Sequence, residues 1–278
     1  MVMSGERAAQ SASTADRCVA QVLGDYATQT FAVAAAEVQK LFHDPLELLT
    51  RAVQPVLWLM LFGEVMARVR GVAPGNIPYI DFLAAGILAQ SALFVAIFYG
   101  ISAIWERDLG VLQRYLVSPA PRATLVVGKA LSAGVRALSQ ALIVYLLALF
   151  LGVGIDLHPL NIVGVATIIV LGSCLFSTLS LIIACIVRTR ERFMGIGQVL
   201  TMPIFFASNA IYPLSLMPAW LSTVSLFNPL TYEVDALRAL MLVRGTSDYG
   251  LGPDFAIMLA TATVLTFIAA RLYRRMGY

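Results

Sequence analysis

The feature that most limits this chain is a window, Phe82 to Ile104, that contains no charged residue. An α-helix needs about 20 consecutive apolar residues to cross a hydrocarbon layer about 30 Å thick. In lipid, the backbone groups of such a stretch are satisfied only inside a helix or a closed barrel. The window has company. Apolar runs also lie at Leu48–Val69, from beyond Arg122 to Gly152, at Leu160–Val187, from Phe193 onward and at Phe255–Ala270. Together they predict an all-α polytopic membrane protein of six transmembrane helices.

Composition agrees and narrows the function. Hydrophobic residues make up 59% of the chain and charged residues 13%, against roughly 45–50% and about 25% in soluble domains. The formal net charge is +3, with no basic stripe carrying interleaved aromatics, so nucleic acid is not an expected partner. Cys18, Cys174 and Cys185 form no CxxC pair, and His43 and His158 each stand before a proline-bearing turn without a second ligand nearby. Neither a disulfide framework nor a metal site is predicted. Catalytic clusters of His, Asp or Glu are missing as well, so a transport subunit fits better than an enzyme. A P-loop requires G-x-x-x-x-G-K-[ST]; the nearest approach, Gly128-Lys129-Ala130, lacks the first glycine and the hydroxyl residue. By that motif this chain does not bind ATP.

The runs differ in quality. In the first, Glu64 and Arg68 are four apart and can pair on one helix face. In the third, Lys129 and Arg136 are seven apart, so their shared face is expected against protein or water rather than lipid. The fifth is interrupted by Pro203, Pro213 and Pro218, and the region from Asn209 to Gly252 is too polar and too broken for a simple span. Ahead of the first span, residues 31–50 place Phe31, Val38, Leu41, Phe42 and Leu46 near helical spacing, with Glu37, Lys40 and Asp44 between them. That pattern predicts an amphipathic helix lying in the membrane plane, redirected at Pro45. Residues 1–30 read as a disordered cytoplasmic tail rather than a secretory signal, and residues 31–278 as a single transmembrane domain.

Basic residues set the orientation. With the N-terminus inside, the cytoplasm receives Arg7, Arg17, Lys40, Arg51, Arg107, Arg114, Arg122, Arg188, Arg190, Arg192, Arg271, Arg274 and Arg275. The other side receives only Arg68, Arg70, Arg238 and Arg244. Both termini are therefore expected in the cytoplasm.

Between the second and third runs sits a charged island, Trp105 to Arg122, reading WERDLGVLQRYLVSPAPR. Leu109, Leu112 and Leu116 share a helical face, Glu106, Asp108 and Arg114 lie toward others, and Pro119 and Pro121 end the helix. A short amphipathic cytoplasmic helix follows from this; so does an ordinary solvated loop. Near the far end, Asn228 is placed to cap a helix with Pro229 at its first position, and Asp235 and Arg238 can pair at i,i+3. Phe62, Phe94, Phe98, Tyr99, Phe205 and Phe206 could line an apolar passage, or face lipid and core.

Two ordered motifs carry a resemblance. E-R-D-x-G followed by S-P at Glu106–Pro119, then N-P-L-T-Y-x-V-D-A-L-R at Asn228–Arg238, with the amphipathic helix ahead of them, resemble the permease subunits of ABC-2 type exporters, above all the drug-resistance and nodulation types. The similarity covers roughly residues 31–275. It implies a bacterial cytoplasmic-membrane half-transporter that pairs with a second copy of itself or a related permease. Two copies of a cytoplasmic ABC ATPase, which bind the ATP and Mg, would drive the pair. It also implies that Glu106, Arg107, Asp108, Leu109, Gly110, Leu112, Arg114, Leu116 and Pro119 form the coupling helix docked in the ATPase. A second contact is implied at the interfacial helix with Glu37, Lys40, Leu41, Asp44 and Pro45. Asn228, Pro229, Tyr232, Asp235 and Arg238 are placed in re-entrant helices that form an outer gate. The cargo implied is an amphipathic small molecule, drug or lipid, with polysaccharide or lipid-linked glycan export as the alternative. From another class, an ion-coupled secondary transporter would need mid-span carboxylates, for which Glu64 is the one candidate.

Overall fold

A computed structural model describes residues 53–67, 77–109, 122–187 and 189–272. The amphipathic segment bearing Glu37, Lys40, Leu41, Asp44 and Pro45 lies outside these residues, as do Gly110, Leu112, Arg114, Leu116 and Pro119. The described chain is helical: α1 (Val53–Met66), α2 (Tyr79–Tyr99), α3 (Ile101–Asp108), α4 (Arg122–Phe150), α5 (Pro159–Ile186), α6 (Arg190–Phe206), α7 (Ala219–Leu226), α8 (Pro229–Met241) and α9 (Leu251–Leu272). No strand occurs among the described residues; one isolated antiparallel bridge joins Ile155 to Leu242.

Four helical stretches are long and apolar enough to cross a membrane: Tyr79–Asp108, Val126–Phe150, Pro159–Ile186 and Leu251–Leu272. At 1.5 Å per residue even the shortest of them exceeds about 30 Å. α1 and α6 fall short of that length. α1 carries a π-helical turn at Trp58–Phe62. Pro203 lies inside α6 rather than ending it; placed in the last turn, it removes only one backbone hydrogen bond. The breaks come afterwards, where Pro213 leads into a 3-10 turn and Pro218 precedes α7.

α2 and α5 occupy the middle and pack against each other, against α4 and against α8. α9 leans on α5, α8 and α4 but turns Leu259, Val264 and Phe267 outward, as a helix facing lipid does. The main core draws Phe82, Leu83, Ile87, Leu88 and Leu93 from α2 together with Ile168, Ile169, Leu175 and Phe176 from α5. A second, smaller core of Ala103, Ile104, Val126, Leu181, Ala184, Phe193 and Ala269 closes one end of the bundle.

The second span runs further than the sequence indicates. Instead of ending at Ile104 it continues through α3 to Asp108, with one irregularity at Gly100. There the Ser180 hydroxyl of α5 donates to the Ile97 carbonyl, which also accepts from the Gly100 N–H at 3.4 Å. A β-carbon on Gly100 would collide with Ser180, so the glycine permits the close approach of α5.

Candidate functional site

Polar chemistry collects at the two ends of the bundle. At the end of α3, Glu106 and Asp108 are two residues apart, about 200° around a helix, and so reach different neighbours. Lys129 of α4 donates to Glu106 in a close ion pair, and Lys129 and Glu106 side chains are 11% and 30% exposed. Arg190, the first residue of α6, donates to Asp108 at 2.9 Å and lays its guanidinium 3.7 Å from the centre of the Trp105 ring. Arg107 lies 3.5 Å from Asp108 and donates to the Val187 carbonyl just past α5 at 3.4 Å. The second, smaller core lies beneath this cluster.

Lys129 and Arg136 do face protein, as their spacing indicates, for Arg136 sits 5.5 Å from the Tyr99 ring centre. Glu106, Arg107 and Asp108 belong to the spanning helix itself rather than to a separate cytoplasmic helix, and each is held by the bundle. Leu109 follows at the tip, 70% exposed.

The opposite end is built around α8, which is buried along nearly its whole length. The cap expected at its start forms: the Asn228 side chain accepts from the Leu230 N–H at 3.1 Å, while its amide donates to the Ile204 carbonyl of α6 at 2.6 Å. Pro229 occupies the first helical position. Tyr232 donates to the Leu226 carbonyl at 2.7 Å and so ties α8 to α7.

Asp235 and Arg238 turn to separate partners rather than to each other. Asp235 accepts from the N–H groups of Asp248 and Tyr249, both at 3.1 Å, and from the Ser247 hydroxyl at 2.8 Å. Ser247 also lies 2.9 Å from Asp254 at the start of α9. Arg238 donates to the Asn209 carbonyl at 2.9 Å and lies 3.7 Å from the centre of the Phe82 ring. Burial pushes its guanidinium down to about 10, against the opposing field of Asp235 and Asp248. The carboxyl of Asp248 is pushed up, first by burial and then by Asp235.

Sequence reasoning passed over Glu233, which stood as an unassigned position within the second motif. Its carboxyl is fully buried against Gly172 of α5, neither oxygen finding a hydrogen-bond partner, and burial pushes it well above the usual carboxylate range. Ser247 and Asp254, separated from the motif by a loop, were not legible as partners of Asp235.

The six aromatics divide. Phe62, Phe205 and Phe206 cluster around Trp58, with ring centres 5.3 to 6.4 Å from it. Phe94 stacks on Phe98 at 6.0 Å within α2, and Tyr99 lies under Arg136. They form two groups, not one lining.

Residues 28–242 match the family model described as ABC-2 type transporter. The chain belongs to the ABC-2 type transporter family. Among its relatives, transport permease ycf38 of Cyanophora paradoxa is 31% identical over 70% of this chain and 68% of its own length. The daunorubicin resistance ABC transporter permease DrrB1 of Streptomyces coeruleorubidus is 23% identical over 84% of this chain and 81% of its own. Nodulation protein J of Rhizobium leguminosarum bv. viciae is 26% identical over 68% and 72%. The family assignment makes this ABC-2 chain a transport permease embedded in a membrane, and the match includes the end of α3 and all of α8.

Proposed function

We propose that this ABC-2 protein is the membrane subunit of an ATP-driven exporter that moves an amphipathic small molecule, drug or lipid out of the bacterial cytoplasm. In this reading two copies of the chain, or one with a related permease, work with two copies of a separate cytoplasmic ATPase that binds ATP and Mg. The chain makes six crossings, with α1 and α6 completing the set, both termini cytoplasmic, and α7 and α8 re-entering from the outside as a gate.

The observation that carries the reading is the end of α3: a charged, exposed tip anchored to three transmembrane helices, at the place where the family's ATPase contact begins. Asn228, Pro229, Tyr232, Asp235 and Arg238 support the gate, because they fix α8 to α6, α7 and the 247–249 loop. The similarity to a daunorubicin resistance permease over 84% of the chain favours an amphipathic cargo.

Capture of the tagged chain from detergent-solubilised membranes, followed by reconstitution into liposomes, tests it. An ATP-binding subunit should co-purify, and vanadate-sensitive transport of an amphipathic fluorescent dye should require ATP. Transport driven by a proton gradient without ATP or a second subunit would overturn the assignment.

A further inference from the structure

Resting on the exporter reading, we infer that Lys129 and Arg190 are positioning residues that lock the tip of α3 to α4 and α6, so that displacement beyond Leu109 moves these helices as one body. α3 adds two turns to the span beyond the irregularity at Gly100. It gains stiffness from neighbours. Glu106 and Asp108 point to opposite sides of α3, each meeting a cation from a different helix. The Arg190 guanidinium completes the grip by covering Trp105.

Lys129 is not interchangeable with solvated surface charge, whereas the Arg190 and Asp108 side chains are 37% and 38% exposed. Lys129 lies within an apolar span, mostly shielded from water, where a charge persists only with a partner. A bundle that merely needed an apolar packing residue there would be served by methionine. A conformational signal passes through a contact only if the contact holds while the element moves, and an ion pair shielded by the smaller core beneath it does so better than one exposed to salt.

Lys129→Met separates a lock from a packing role. The variant complex, reconstituted with the partner ATPase, should still capture that subunit while its export per ATP hydrolysed falls about tenfold or more, within the usual range of coupling between sites. Lys129→Glu should abolish export, and the exchange Glu106→Lys with Lys129→Glu should restore it to within about threefold of wild type. Wild-type export per ATP from Lys129→Met would overturn the lock. So would an exchange variant that remains monodisperse yet exports no better than Lys129→Glu alone. If the wild-type complex itself shows no ATP-dependent transport, the exporter reading fails first and takes this inference with it.

Discussion

At Glu233 a single side chain sets a packing condition between α8 and α5. An ionised carboxylate with neither oxygen bonded would be severely undersolvated, so burial favours its neutral form, and a β-carbon at position 172 would run into the carboxyl. Gly172→Ala should destabilise the protein by about 1–3 kcal/mol, the usual penalty of overpacking. Glu233→Gln, similar in size and uncharged, should be tolerated. Thermal melting followed by size-exclusion chromatography in detergent checks both; a wild-type melt for Gly172→Ala would show that the helices separate freely. None of this was readable in the sequence. A glycine in an apolar span carries no sign of what faces it, and Glu233 looks like one more polar residue in a polar stretch.

Helices were far more legible than their partners. The sequence pattern bounds α5 at Leu160–Val187, and it runs Pro159–Ile186; the pattern carries α4 to Gly152, and it ends at Phe150. Prolines, glycines and charges bracket both, and these local signals need no tertiary information. The end of the second span was misplaced for the opposite reason: Trp105 to Asp108 continue the helix because Lys129 and Arg190, from distant parts of the chain, accept their charges and ring. The Asn228 cap was legible, whereas its second bond to Ile204 was not. Asn228→Ala should cost about 1 kcal/mol for the cap and roughly as much again for the bond to α6. Asn228→Ser keeps a capping oxygen but is too short to reach Ile204, so it should lose about half as much. Equal losses from both substitutions in thermal melts would assign the whole effect to one bond.

For the whole molecule the question is which end faces the cytoplasm. Leu109 is 70% exposed at one end and Phe227 85% exposed at the other. In a background with Cys18, Cys174 and Cys185 replaced by serine, Phe227→Cys should react with a membrane-impermeant maleimide in intact cells. Leu109→Cys should react only after permeabilisation, and the reverse pattern would invert the topology. The placement of Gly100 gives this orientation a mechanical consequence. The 30-residue span is bonded to α5 there, about 31 Å from Tyr79 and about 12 Å from Asp108. Tyr79 holds the Ile211 carbonyl at 2.8 Å, and Phe82 one turn on lies beneath Arg238. The same span therefore carries the Lys129 and Arg190 contacts at one end and the Ile211 and Arg238 contacts at the other, so a shift of its short end would be felt where α2 meets the far-end cap.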